Sequence, residues 1–163
     1  SVNIGLLSSA ATLKLNARRF DFILSGRVSY VDQLYGRLIR RKSSDIKYSF
    51  NDYNLTANYH AGECDIVTLN GFLSGDKMWY YDSNYAMKAD LRWKNSAVSL
   101  HWKHSGTETM NHRIYRSSFS NTLTYNMGNM ALRVPSALSV TGIAGDISVP
   151  ALNGDVAVAA GMT

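Results

Sequence analysis

Apolar and polar positions alternate with a period of two along most of this chain. In residues 20–30, Phe20, Phe22 and Leu24 fall on one side of an extended strand and Asp21 falls on the other. A period of two over eleven residues is typical of a β-strand. The same pattern predicts further strands in residues 52–60, 67–73, 87–93, 98–103, 115–125 and, more weakly, 143–149. Helical spacing explains none of these segments as well, so we predict an all-β chain of about nine to eleven strands.

The connections between these strands form a second pattern. Short polar connections are predicted at 16–18, 61–63, 94–96, 127–129 and 150–154. Mostly longer connections are predicted between them, at 31–45, 74–84, 105–113 and, as a short break, 135–136. At most one helical turn is predicted, within 31–42. An antiparallel up-and-down β-barrel of the outer membrane alternates short turns with longer outer loops in this way, whereas a soluble meander need not.

Composition agrees with a sheet protein. Charged residues make up 18% of the 163 residues, below the usual share of about 25% in soluble domains. Ten tyrosines dominate the aromatic residues, which cluster near predicted strand ends. Such rings favour either a bilayer interface or cross-strand pairing in a soluble sheet. No segment approaches the roughly 18 apolar residues of a membrane-spanning helix. Because both ends look cut and no signal peptide is present, residues 1–163 are predicted to be a fragment, a partial barrel.

Each predicted strand has one apolar and one polar face, and two architectures satisfy that division. In a soluble barrel the apolar face fills the interior, whereas in a membrane barrel it faces lipid. Small residues such as Gly26 and Ala57 lie on the apolar face and favour lipid contact, because a barrel interior must be filled densely. The residues then predicted to line a polar lumen are Arg27, Lys88, Asp90, Arg92, His101, Lys103 and Arg116.

Several segments resemble the early barrel strands of a TonB-dependent outer-membrane receptor. Residues 2–15 (VNIGLLSSAATLKL) resemble the segment that opens the barrel after the plug, and 19–32 resemble the next strand. Residues 50–59 and 73–77 resemble later strands. The likeness covers most of 2–126 and is greatest to receptors with a carboxypeptidase-regulatory-like domain before the plug.

The resemblance implies a 22-stranded barrel that imports a scarce nutrient such as a metal chelate, vitamin, glycan or peptide. It implies a bacterial outer-membrane location and contact with outer-membrane lipid, with the protein's own plug and with the imported small ligand. The TonB complex would act through an N-terminal part that this sequence lacks. The loops at 31–45, 74–84 and 105–113 would face outside. The substrate-contacting candidates in these loops are Arg37, Arg40, Arg41, Trp79, Tyr80 and Tyr81.

Other functional classes receive little support from the sequence. The net charge of +5 comes mostly from scattered residues, so no nucleic-acid partner is predicted. Cys64 is the single cysteine, and His101 and His104 would point to opposite faces of a strand. No Gly-x-Ser-x-Gly elbow is present, and we predict no enzyme, catalytic residue, cofactor or metal. The alternative is a soluble β-barrel or sandwich that binds a small apolar ligand and stays monomeric without detergent.

Overall fold

The computed structural model describes residues 1–32, 44–151 and 154–163 and places them in one antiparallel sheet. Nine strands follow one another in chain order, and each pairs with the next. They are β1 (Val2–Ile4), β2 (Ser8–Ala17), β3 (Phe20–Ser29), β4 (Ser44–His60), β5 (Asp65–Asp82), β6 (Met87–Ser105), β7 (Thr109–Met127), β8 (Met130–Ala151) and β9 (Gly154–Met162). The sheet is not closed, since its order runs from β1 to β9 without returning. The predicted all-β, antiparallel up-and-down architecture is confirmed.

Strand length divides the sheet into two groups. Strands β2 and β3 have 10 residues each, and β9 has 9. Strands β4 to β7 have 17 to 19 residues, and β8 has 22. Because β3 pairs only with residues 51–59 of β4, the long strands continue well beyond their short neighbours. The sheet therefore has a lower part that includes all nine described strands, and an upper part in which only β4 to β8 are described.

Some predicted connections are turns and others are not. The two-residue turn at Gly128 and Asn129 is confirmed, and Gly128 adopts the positive φ of 56° that favours glycine there. The break predicted at 94–96 is wrong, because these residues lie inside β6 and pair on both sides. The loops predicted at 74–84 and 105–113 shrink to residues 83–86 and 106–108.

The break predicted at 135–136 is also wrong, because Pro135 lies inside β8 and is opposite Thr122 of β7. Proline lacks the backbone N–H that a central strand needs and is tolerated on an edge strand. Among the described residues, β9 pairs with β8 over residues 143–151, so Pro135 has a partner strand on the β7 side. Pro135 therefore does not mark the end of a strand.

The turns lie at two ends of the sheet. We call the end with turns 18–19, 61–64 and 106–108 the base, and the opposite end, with turns 83–86 and 128–129, the top. The long connection between β3 and β4 also starts at the top, although residues 33–43 lie outside the described residues. The prediction that 31–45, 74–84 and 105–113 share one side is therefore wrong, because the turn at 106–108 lies at the base.

Candidate membrane-facing surface

Register assigns every described strand residue to one of two faces, since directly paired residues share a face and neighbours alternate. We call the side that carries Phe22 and Leu24 face A, and the side that carries Asp21 and Arg27 face B. Leu24 is opposite Leu13 of β2 and Leu55 of β4, so all three lie on face A. The apolar sets of the lower strands thus join into one surface.

This surface, the apolar belt, covers face A of the lower part of the sheet. Its large apolar members are Leu13, Leu15, Phe20, Phe22, Leu24, Val28, Tyr53, Leu55, Tyr59, Val67, Leu69, Leu73, Val98, Leu100, Trp102, Ile114, Ile143, Ile147, Val149, Val156 and Val158. Among the described residues, the belt carries no Lys, Arg, Asp or Glu between Asp65 at the base and Arg116 just above it.

No described side chain packs over the belt. Leu73, Leu100 and Ile114 lie on its central strands, yet they are 57%, 48% and 53% exposed. Within the described ranges no hydrophobic residue of the sheet is buried at all. A contiguous apolar surface of this extent is unusual on a soluble monomer and marks a site of interaction with another apolar phase.

The polarity of the two faces inverts halfway along the long strands, as β6 shows most clearly. Below the midpoint, Val98, Leu100 and Trp102 lie on face A. Above the midpoint, face A carries Lys88, Asp90, Arg92 and Lys94. Over the same upper stretch, Met87, Ala89, Leu91 and Trp93 lie on face B. The strand runs without a break through this change, so its apolar residues pass from one face to the other.

The inversion falls at a definite level on each strand. On face A the last belt residues are Tyr53, Leu73, Val98, Ile114 and Ile143 on β4 to β8 in turn. Tyr53 pairs with Leu73, but Leu73 pairs with Ser96, and Val98 pairs with Arg116. The boundary therefore moves toward the base by four residues over four strand steps, about one residue per strand. With about 3.3 Å per residue and about 4.8 Å between strands, the boundary deviates by about 35° from the perpendicular to the strands.

Above this inversion line, face B is the apolar side. One cross-strand row there consists of Tyr48, Met78, Leu91, Leu123 and Val134. The three central members of this row are half-buried, whereas Tyr48 and Val134 at its ends are 37% and 45% exposed. Neighbouring side chains of the sheet therefore cover only the central part of this row.

Below the line, face B is polar and its side chains bond across the strands. Thr56 donates to the Oδ1 of Asn70 at 3.0 Å, and Thr68 donates to the Oδ1 of Asn58 at 2.8 Å. Near the line, Arg27 Nε donates to the Asp52 carboxylate at 2.8 Å. A hydrogen-bonded polar surface of this kind suits contact with water or with another polar surface.

An aromatic row lies along the base of the belt. Phe20 stacks on Tyr59 with ring centroids 4.7 Å apart, and Trp102 stacks on His112 at 5.4 Å. The indole N–H of Trp102 donates to Asp65 at 3.0 Å, so its polar edge is satisfied toward the turns. Phe20, Tyr59, Trp102 and His112 belong to one cross-strand row of face A. Amphipathic rings at the edge of an apolar band are typical of a bilayer interface.

The seven residues predicted to line one lumen do not share a face. Arg27, His101 and Lys103 lie on face B. The other four, Lys88, Asp90, Arg92 and Arg116, lie on face A. The prediction of a single lumen-lining set is wrong because the supposed break at 94–96 concealed the change of phase within β6.

Two of these face A residues form an ion pair above the inversion line. Arg92 Nε donates to Asp90 at 2.6 Å, and this hydrogen bond is the main reason why the pKa of Asp90 lies below its usual value. The pair occupies neighbouring positions of face A on β6, where both residues are separated from the belt. This ion pair therefore belongs to the upper part of the sheet and does not contact the belt.

The candidates for substrate contact are placed only in part. Trp79, Tyr80 and Tyr81 lie in β5 and not in a loop, with Trp79 and Tyr81 on face A and Tyr80 on face B. Lys47 lies 5.0 Å from the ring centroid of Trp79. The other candidates, Arg37, Arg40 and Arg41, lie outside the described residues. The inversion line was missed from the sequence, although the switch from odd to even apolar positions in β6 signals it.

Comparisons with protein-family models, with curated proteins and with solved structures found no match for this chain. Among the described residues, none forms a helix that is long and apolar enough to cross a membrane. In the same part of the chain, no group of three or more His, Cys, Asp or Glu residues could hold a metal ion. His101 and His104 lie on opposite faces of β6, as predicted. The surfaces of the sheet are therefore the basis for assigning a function.

Proposed function

We propose that this chain forms part of the wall of an outer-membrane β-barrel. The apolar belt of face A contacts the hydrocarbon of the bilayer, and face B turns toward the lumen. Strands β4 to β8 continue beyond the membrane, where face A meets water. Closure of such a barrel would need strands in addition to these nine, since the edges at β1 and β9 are unpaired.

The observation that carries this proposal is the belt together with its oblique upper edge. Membrane-spanning strands need about 9–11 residues. Strands β2 and β3 have 10, and below the line β4, β5, β6 and β8 have eight or nine, whereas β7 has six. Barrel strands tilt by about 35–45° from the barrel axis, so a plane that cuts the barrel must cross them obliquely. The inversion line crosses these strands at about the matching angle, which supports its interpretation as the membrane boundary.

The orientation follows from the turns. Turns of two to four residues lie at both ends of the sheet, and the one long connection, residues 30–43 between β3 and β4, lies at the top. Short turns are typical of the periplasmic end of such barrels and longer loops of the outer end. We therefore propose that the top faces the cell exterior.

The rival function is a soluble barrel whose belt fills a dry interior. That arrangement would place Arg27, His101 and Lys103 in water below the inversion line, which costs nothing. Above the line, however, it would turn Lys77, Lys88 and Lys94 inward together with the belt face, and none of them forms an ion pair within 4.0 Å among the described residues. Burying several charges without matching partners is strongly unfavourable, which favours the membrane proposal.

The proposal predicts which positions contact lipid. In the intact protein with native cysteines replaced, an environment-sensitive fluorophore is attached in turn to Leu100→Cys, His101→Cys and Ser120→Cys. In bilayers with nitroxide-labelled acyl chains, we expect strong quenching at position 100 alone. His101 lies on the other face, and Ser120 lies on face A above the line. Absence of quenching at all three positions, with a monomer in detergent-free buffer, would favour the soluble rival.

A narrower proposal is that the barrel belongs to a TonB-dependent receptor that imports a scarce nutrient. It is supported by the sequence resemblance of residues 2–126 and agrees with the proposed membrane location. The plug, the TonB contact and the imported ligand would involve parts of the protein beyond this sheet.

The receptor proposal predicts a shared growth phenotype. Cells that lack this protein and cells that lack TonB should both fail to grow when one nutrient, supplied as a metal chelate, vitamin, glycan or peptide, is limiting. Restoring the protein should rescue growth only where TonB is present. Rescue in a strain without TonB would rule out energised import, while leaving the membrane barrel itself intact.

A further inference from the structure

A group of basic side chains lies immediately above the belt on the same face. Lys77 on β5 and Lys94 on β6 are each four residues beyond the last belt residue of their strand. Arg116 on β7 is two residues beyond Ile114. Three consecutive strands thus each contribute one cation to the edge of the proposed hydrocarbon region.

None of these three cations forms an ion pair within 4.0 Å among the described residues, although Lys77 lies close enough to Asp90 to help lower the pKa of that carboxyl. Arg92 lies directly opposite Lys77 in the register and has Asp90 as its partner. Like charges on directly opposed strand positions are destabilising unless an anion offsets them. One carboxylate is therefore surrounded by an excess of positive charge on this face.

The positions between the cations have small side chains. Gly75 is opposite Lys94 and lies two residues from Lys77 on the same strand. Ser96 and Ser118 are opposite each other in the next face A row toward the base. The Asn51 side chain lies over Gly75, and the two serines add hydroxyl donors toward the base from the lysines. Phosphate oxygens accept hydrogen bonds from such donors and are attracted to lysine and arginine.

The opposite face lacks this character at the same level. There, Asp52 and Asp76 lie on face B, and Arg27 is already bonded to Asp52. The excess of cations is therefore specific to the face that carries the belt. A ligand that fits both surfaces at once has anionic groups above and acyl chains below.

We propose that Lys77, Lys94 and Arg116 bind the phosphate groups of an anionic lipid whose acyl chains lie on the apolar belt. With about 3.3 Å per residue and a tilt of about 35°, the lysine Cα atoms lie about 11 Å above the belt edge. Long basic side chains reach back toward the headgroup level, and Arg116 starts closer to it. This inference rests on the proposed membrane location of the belt.

The test measures lipid selectivity at the protein surface. The intact protein is reconstituted in phosphatidylcholine bilayers that contain a trace of spin-labelled phosphatidic acid or spin-labelled phosphatidylcholine. Electron paramagnetic resonance gives the relative association constant of the two lipids from their motionally restricted fractions. The variant K77Q/K94Q is compared with K14Q/R113Q, which removes the same charge from face B.

We expect the wild type to prefer phosphatidic acid and K77Q/K94Q to reduce that preference by up to about 25-fold, because each of the two basic residues removed contributes a factor of about five near an anionic surface. The face B control should keep the preference, and excess soluble glycerol phosphate should not abolish it. Equal behaviour of the two variants, or displacement by glycerol phosphate, would overturn the lipid site. A wild-type protein with no motionally restricted lipid of either kind would instead refute the membrane proposal itself.

Discussion

Replacement of Leu100 by arginine is expected to lower the free energy of unfolding in a bilayer by about 2–4 kcal/mol. This is the cost of a basic residue on a lipid-facing strand near the bilayer midplane. Leu100 lies in the middle of the belt, opposite Leu69 and Ile114, and no described side chain covers it. The measurement is equilibrium unfolding in urea of the intact protein from lipid vesicles.

Two matched variants make this result specific. Ser99→Arg places the same charge one residue away on face B, where we expect a loss of less than about 1 kcal/mol because a polar lumen hydrates the charge. Leu73→Arg lies at the last belt position of β5, and its cost should also fall to about 0–1 kcal/mol near the interface. In a packed soluble interior, Leu73→Arg and Leu100→Arg would cost similar amounts, which would contradict lipid contact.

The lower half of the sheet was predictable because its apolar residues keep one phase. In residues 20–30, apart from Ile23, and in residues 52–60 the alternation holds throughout, and the structure pairs these segments directly. Local turn chemistry was also informative at Gly128. The strand type, the chain order and the apolar face of the lower strands could therefore be predicted from local patterns.

The strands of the upper half were predicted wrongly because a switch of the apolar residues from one side of a strand to the other looks like a turn in the sequence. In β6 the apolar positions change from odd numbers ending at Trp93 to even numbers starting at Val98. A polar segment between them, Lys94-Asn95-Ser96, is what a connection would contain. Sequence alone does not distinguish a chain reversal from a strand that crosses between two environments. Pairing of Asn95 with Ser74 and Phe119 decides in favour of a continuous strand.

This error also affected the candidate sites. Even-numbered Lys88 and Arg92 and odd-numbered His101 were grouped because each opposes apolar residues locally, but the unbroken strand puts them on different faces. The group of Lys77, Lys94 and Arg116 was missed for the same reason, since it exists only once the register across β5, β6 and β7 is known. Local periodicity shows which residues of a segment are on the same side of the strand. Only the pairing between strands shows which face of the sheet that side belongs to.

The second large effect concerns face B above the inversion line. Leu91→Arg is expected to destabilise the protein by about 1.5–3 kcal/mol, the value of withdrawing a leucine side chain from an apolar environment. Leu91 lies in a half-buried row between Met78 and Leu123, so an arginine there would disrupt packing across three strands. Urea unfolding monitored by tryptophan fluorescence would report the change.

The matched control is Thr124→Arg on β7, which puts the same charge on face A opposite Asp90. We expect this variant to be about neutral, because the new charge lies between Asp90 on β6 and Arg133 on β8 on a solvated surface, so that attraction and repulsion offset each other. Together with Leu100 and Ser99, these positions test both faces on both sides of the boundary. Arginine should be costly on face A below the line and on face B above it, and tolerated at the other two places. If Leu91→Arg lowered the stability no more than Thr124→Arg, the change of apolar face above the line would not contribute to stability. The proposed membrane boundary at that line would then be contradicted.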